Sequence, residues 1–304
     1  MRRFLRLARC DLVCGLPGIA GRLVLVAGIC LAAMFVSWVK IQIRLPQAAS
    51  GLTWGEALLC VWYGMLPYNP GEGEMFQFPM AWFCLLASVS FAIADYPSRD
   101  IGGVGSMVVA SGVGRWAWWL AKCVWVAATV IVCVGITVVI AFVWSAISSG
   151  EPSLCVRPGV ASVLDAGYNY EILDAARLIS DGSAAQVAQA SASISVAQAL
   201  LGLAVCLMGV ALVQNAVALV IHPVLGMVAT ISILFASSYF FEPWLPGEYM
   251  LLARTGTLLD SGDYAGVDPA WGIAIGLLLG VVGVVAGGIA FARKDILGRK
   301  DEAR

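Results

Sequence analysis

Six apolar stretches recur along this chain, at residues 22–42, 76–95, 117–146, 194–213, 216–237 and 271–292. Their length is the constraint that any fold must satisfy. A bilayer's hydrocarbon core, about 30 Å thick, is crossed by about 20 helical residues rising about 1.5 Å each. Backbone amides and carbonyls in hydrocarbon find partners only within a helix or a closed barrel. The charged residues are sparse to match, at 12% of a chain that is 61% hydrophobic, about half the charged share of a soluble domain. The sequence therefore predicts an all-α integral membrane protein, one domain over 1–304 with six transmembrane helices. The third stretch is long enough to tilt or to project beyond the bilayer.

Lysine and arginine set the orientation. With the N-terminus in the cytoplasm, the inner loops and helix ends hold Arg2, Arg3, Arg6, Arg9, Arg22, Arg99, Arg115, Lys122, Arg293, Lys294, Arg299, Lys300 and Arg304. The outer side holds only Lys40, Arg44, Arg157, Arg177 and Arg254. Six crossings return the C-terminus to the cytoplasm, where RKDILGRKDEAR adds a basic cluster. Both termini are thus expected inside a plasma membrane. The first apolar run is longer than a signal-peptide core and no A-x-A-like site closes it, so it reads as an uncleaved helix.

Residues 1–15 read as an amphipathic helix along the cytoplasmic interface. Arg2, Arg6 and Arg9 share one face with Arg3 nearby, opposite Phe4, Leu5, Ala8 and Leu12. A plain positive-inside anchor would explain the charge but not its sidedness. Outside, residues 43–75 predict an interfacial helix with Trp54, Trp62 and Tyr63 at headgroup depth, although Glu56 falls inside it. The polar insertion 148–193 predicts one or two short extracellular helices, and 238–270 a second outer segment. In the last stretch Gly272, Gly276 and Gly280 recur every four residues, followed by Gly283 and Gly287. That spacing lets helix backbones approach closely, within one subunit or across a dimer.

Catalytic constellations are missing. The lone histidine, His222, precedes Pro223 and reads as a polar contact beside a kink in the fifth span. The nine cysteines include no C-x-x-C and sit mostly in apolar runs, so no metal site is expected. A P-loop needs Gly-Lys-Ser/Thr to cradle phosphates, and no Gly-Lys pair occurs. The chain is therefore not expected to be an enzyme, and if ATP drives its work another chain must hydrolyse it. A net charge of −1 leaves no basic footprint for nucleic acid. Ionisable groups deep in spans mark ion-coupled transporters. Only Lys122 approaches that position, and from there its stem can snorkel to the cytoplasmic interface.

One internal cytoplasmic loop stands out, at 95–116. DYPSRD ends the second stretch, with Pro97 discouraging helix before it and Asp95 four residues from Arg99. Glycines follow, and then GRWAWWLAK restarts the chain with Trp116, Trp118 and Trp119 as a headgroup belt, while Arg115 and Lys122 face phosphates or cytoplasm. The loop reads as a polar turn, or as a docking surface for a soluble partner.

DYPSRD with GRWAWWLAK, FQFPMAWF at 76–83, WLPGEYMLLARTG at 244–256 and FARKDIL at 291–297 resemble the permease subunits of bacterial ATP-binding-cassette transporters of the type-2 exporter kind. The resemblance implies an export permease served by separate ATPase subunits, which bind ATP and Mg, and completed by a second permease copy or a related one. It implies that residues 1–15 form the interface helix and that the 95–116 loop couples to the ATPase through Asp95, Pro97, Arg99, Asp100, Arg115 and Lys122. It further implies that the segment with Pro243, Pro246, Gly247 and Arg254 dips toward the outer mouth, Arg254 lying at the surface or against an acid such as Glu248. Charge reversal at Asp95, Arg99 and Asp100 together is expected to uncouple ATP hydrolysis without unfolding the spans. The alternative is a stand-alone channel, scaffold or sensor.

Overall fold

A computed structural model of the protein describes residues 2–46, 51–68, 76–148, 150–157, 160, 163–164, 192–255 and 266–293. Every regular element among them is helical, apart from one bridge between Thr255 and Val267. Five helices are long and apolar enough to cross a membrane: Ala20–Arg44, Met80–Gly102 across a bend, Arg115–Ile147, Val196–Val220 and Pro269–Arg293. A sixth apolar helix, Pro223–Tyr239, has 17 residues.

We label the helices α1 (Arg2–Cys10), α2 (Ala20–Arg44), α3 (Trp54–Trp62), α4 (Met80–Ile93), α5 (Tyr96–Gly102), α6 (Val104–Val108), α7 (Arg115–Ile147), α8 (Ala192–Val220), α9 (Pro223–Tyr239) and α10 (Pro269–Arg293). Between α1 and α2 the chain winds as a π-helix over Asp11–Gly15 and then makes one turn, Leu16–Gly18. Gly112 and Gly114, both at φ +86°, turn the chain from α6 into α7, a conformation glycine adopts without steric cost.

The closest seam joins α8 to α10. A Cβ on Gly276 would lie 2.6 Å from the Val205 backbone, and one on Gly209 would lie 2.2 Å from the Gly276 carbonyl. Farther along, Gly283 meets the Leu212 backbone and Gly287 meets Trp119 and Ala216. The glycine stripe thus packs inside one chain, where dispersion between close backbones holds helices that hydrocarbon gives no reason to separate.

Several expectations change. The turn between the fourth and fifth apolar stretches falls at Ile221–His222, so α8 runs through residue 215 without a break. His222 is the exposed N-cap of α9, its Nδ1 accepting from the Val224 amide at 3.3 Å. It caps a helix start that a histidine flanked by apolar residues hides from view. The expected interfacial helix of 43–75 is instead α3, buried along its length after Trp54. Trp62 donates to Thr137 at 3.1 Å and Trp54 to the Val138 carbonyl at 3.4 Å, both on α7. The tryptophan belt is also reassigned. Trp118 and Trp119 are fully buried while Trp116 stays 43% exposed. Trp118 stacks on Phe291 with centroids 4.9 Å apart, and Trp119 donates to the Val284 carbonyl at 2.8 Å. The helices expected over 170–190 and the basic tail after Arg293 lie outside the described residues.

Candidate functional site

At one end of the bundle the DYPSRD stretch becomes α5, a helix of seven residues with Pro97 in its first turn, where a missing amide hydrogen costs nothing. Its acids turn inward. Asp95 takes both guanidinium nitrogens of Arg22 on α2, at 2.5 and 2.8 Å, and also pairs with Arg99 one turn on. Asp100 receives the Trp118 indole at 3.1 Å and the Lys122 ammonium at 2.8 Å. Ser98 donates to the Ala218 carbonyl of α8 at 3.3 Å.

Lys122 has no exposed side-chain surface. Besides Asp100 it binds Asp11 at 2.6 Å, and it sits over the rings of Tyr96 and Trp118 at 4.9 and 5.0 Å. Tyr96 donates to Asp11 at 3.1 Å and stacks on Trp125 with centroids 4.1 Å apart. The expected snorkelling is overturned: two carboxylates and two aromatic faces hold the ammonium better than a distant interface does. Arg115 turns one guanidinium nitrogen to the end of α10. It reaches the Ala292 carbonyl at 2.7 Å, placing a cation at the negative end of α10's dipole.

Asp11 is the residue that sequence reasoning missed. It is buried in the π-turn after α1, and burial raises its carboxyl pKa against the pull of Lys122. Gly15 makes room for it, since a Cβ there would lie 2.5 Å from the Trp125 indole nitrogen and 2.7 Å from the Tyr96 ring. Gly105 does the same for α6, where a Cβ would lie 2.4 Å from the Asp100 carboxylate. Asp11 Oδ2 and Trp125 Nε1, an acceptor and a donor, are buried with no hydrogen-bond partner among the described residues. Of the four N-terminal arginines, Arg6 and Arg9 are exposed, and the side chains of Arg2 and Arg3 lie outside the described residues. The helix leans on the bundle through Ala8, Asp11 and Gly15, while Leu5, expected on the apolar side, is 55% exposed.

Of the six expected coupling residues, Asp95, Asp100, Arg115 and Lys122 each bond to another helix or turn of the bundle. Pro97 is buried with them. Arg99 faces outward, its side chain 67% exposed, and on α6 Val104 and Met107 are 68% and 73% exposed. Between buried ions in a medium of low effective dielectric the attraction is strong, and removing one partner costs about 3–5 kcal/mol. The cluster ties α1, α2, α5, α7 and α8 together, so a force applied to α5 reaches all of them.

The opposite end holds two more ion pairs, each on a buried carboxylate. Glu56 completes a capping box with Thr53 at the start of α3 and takes Arg157 at 2.6 Å. Arg254, fully buried, makes a two-oxygen contact with Glu248 at 2.8 Å and donates to the carbonyls of Ser237, Ser238, Met65 and Leu66. The expected outer segment is here a pair of 3₁₀ turns, Pro246–Met250 and Leu252–Arg254, buried throughout. Pro246 and Pro243 offer carbonyls to Cys206 and Tyr249, and Gly247 fits against Ser237. Burial pushes Glu248 up to about 7, with Arg254 opposing the shift. Among the described residues no three His, Cys, Asp or Glu groups converge as metal ligands.

No curated protein and no solved structure matches this chain. One family model, described as a protein of unknown function (DUF2705), matches residues 67–297. That region begins after α3 and takes in α5, Lys122 and the Glu248–Arg254 pair, though not Asp11. Because the match spans well over half of the 304 residues, the chain belongs to the DUF2705 family.

Proposed function

We propose that this chain is the permease subunit of an ATP-binding-cassette exporter. In this reading it crosses the plasma membrane six times with both termini in the cytoplasm. A separate ATPase docks on the outer surface of α5 and α6, around Arg99, Val104 and Met107. A second permease copy completes the path. One observation carries the reading: the DYPSRD helix is exposed on its outer surface and ionically bound to the helices beneath. Such a knob transmits a push, because packed elements shift as rigid bodies rather than deform. Contacts between residues far apart in sequence support the even number of crossings. Asp11 meets Lys122, Ser98 meets Ala218, and Arg115 meets Ala292. These contacts gather the start of α2, the end of α4, the start of α7 and the ends of α8 and α10. With the Ile221–His222 turn at that same end, α9 runs away before α10 returns. At 17 residues, α9 reaches about 25 Å, the short limit for a span.

The docking test follows from this geometry. Reversing Asp95, Arg99 and Asp100 together would break the buried cluster, so the informative variant is Arg99→Glu with Met107→Asp. Native-level purification in mild detergent is expected to recover an ATPase-bearing chain with the wild type and to lose it with the variant. Both proteins should melt at the same temperature. Recovery of the wild type without an ATPase overturns the reading in favour of a stand-alone membrane protein.

A further inference from the structure

The two donors that reach Asp11 converge on one oxygen. Oδ1 accepts from the Lys122 ammonium at 2.6 Å and from the Tyr96 hydroxyl at 3.1 Å, while Oδ2 is buried with no partner among the described residues. Asp95 differs, since Arg22 and Arg99 between them bond both of its oxygens. Asp100 also takes its donors on one oxygen, but its side chain is 21% exposed and in reach of water, whereas Asp11 is 5% exposed. The charges are uneven as well. Asp11 and Asp100 both contact Lys122, and no other cation contacts either acid among the described residues. α2 sends Arg22 to Asp95 instead. An ionised oxygen buried without a hydrogen bond is among the most destabilising groups a fold can hold, and a neutral carboxyl there costs far less.

We infer that Asp11 is a proton-binding site, with the proton on Oδ2 and with Lys122 and Tyr96 held by Oδ1. One proton from solvent forms the Oδ2–H bond, no other bond breaks, and Lys122 is left paired one to one with the charge of Asp100. The titratable and charged groups that face Asp11 are few. α7 supplies Lys122, α5 supplies Tyr96 and Asp100, α1 supplies Cys10, and the turn Leu16–Gly18 carries none. Burial raises the Asp11 pKa, Lys122 and Tyr96 lower it, and the Asp100 charge raises it. Packed against the bundle, the acid therefore holds its proton more tightly than in water, where aspartate titrates at about 3.9. The proton's contribution to packing is complete below that value and is lost as pH rises through the raised one. Asp11 opens the π-turn that follows α1. A shift to acid thus tightens the hold of α1 on the bundle, and a shift to alkali loosens it.

The test uses the full chain in detergent. Infrared spectra taken from about pH 4 to about pH 8 report the C=O stretch of a protonated carboxyl. The Asp11 band is the difference between wild type and Asp11→Asn, in which Glu248 cancels. Hydrogen–deuterium exchange over residues 8–19, corrected for the intrinsic pH dependence of amide exchange, reports how firmly the turn is packed. The wild type is expected to show an Asp11 band that disappears with rising pH. Protection of 8–19 should fall over the same interval by at least about tenfold, or about 1.4 kcal/mol. Asp11→Asn keeps the shape without the charge, so at about pH 8 it should be as protected as the wild type at about pH 5. Asp100→Asn removes a like charge while its amide oxygen can still accept from Trp118. It should move the loss of the band to lower pH by about one unit, a shift that is read even if Asp11→Asn does not fold. Absence of an Asp11 band, or an unmoved band in Asp100→Asn, overturns the proposal. So does an Asp11→Asn chain less protected than the wild type in acid, because the charge itself is then the anchor. No ATPase enters the experiment, so its outcome is independent of the permease reading.

Discussion

The ammonium of Lys122 lies between Asp11 and Asp100 with no water-accessible surface. Lys122→Met leaves two facing carboxylates without a counter-charge. We expect a loss of about 3–5 kcal/mol, read as a lowered unfolding midpoint in detergent. The variant carrying Asp11→Asn, Lys122→Met and Asp100→Asn should recover most of that loss, because it removes the charges together. Glu248 gives a pH signature. Its carboxyl titrates at about 7 in the fold and at about 4.3 in an unfolded chain. The folded state therefore binds this proton more tightly. The group's contribution to stability is complete below about pH 4 and is lost as pH rises through 7. Arg254 remains held by four carbonyls when Glu248 is protonated. The melting temperature should fall between pH 5 and 8, and Glu248→Gln should flatten that slope; an unchanged slope in the variant would show that another group titrates. At this scale the sequence was legible only over short distances. The Asp95–Arg99 pair follows from helical spacing, and Glu248 was one of two fates foreseen for Arg254. Asp11 and Lys122 are 111 residues apart, and no periodicity reports a contact across that distance.

Helix contacts were legible where small residues marked them. The stripe on α10 predicts a close approach but not its partner, which is the Gly202–Gly209 face of α8. The steric margins differ sharply along the stripe. At Gly276 a Cβ meets backbone at 2.6 Å, whereas at Gly280 its nearest neighbour is the Leu212 side chain at 3.6 Å. Gly276→Leu should therefore destabilise by more than the about 1–3 kcal/mol of ordinary overpacking, since backbone cannot rotate away. Gly280→Ala should leave the unfolding midpoint unchanged. Equal effects at the two positions would count against this seam. α3 shows where composition misleads. Its tryptophans suit a headgroup belt, yet Trp62 is buried because Thr137 supplies a partner for its indole nitrogen. The same holds for Trp118, whose partner Asp100 is the acid of α5. Hydropathy reports how apolar a helix is; whether its aromatics face lipid or protein depends on acceptors elsewhere in the chain.

For the molecule as a whole, the five helices long and apolar enough to span were legible because bilayer thickness sets the length to look for, and the 17-residue α9 is the case in which length alone does not decide. The proposed topology can be read with native cysteines. An impermeant maleimide applied to intact cells should label Cys155 and spare Cys10 and Cys14, and Cys155→Ser should abolish the signal. Labelling of the N-terminal pair from outside would invert the arrangement. The 111-residue separation of Asp11 from Lys122 also has a consequence for biosynthesis. The ribosome must add over a hundred residues before the first helix meets the ammonium that anchors it. During that interval Asp11 has no ammonium to meet, and the closing of this clasp marks the moment when the newborn bundle acquires its base.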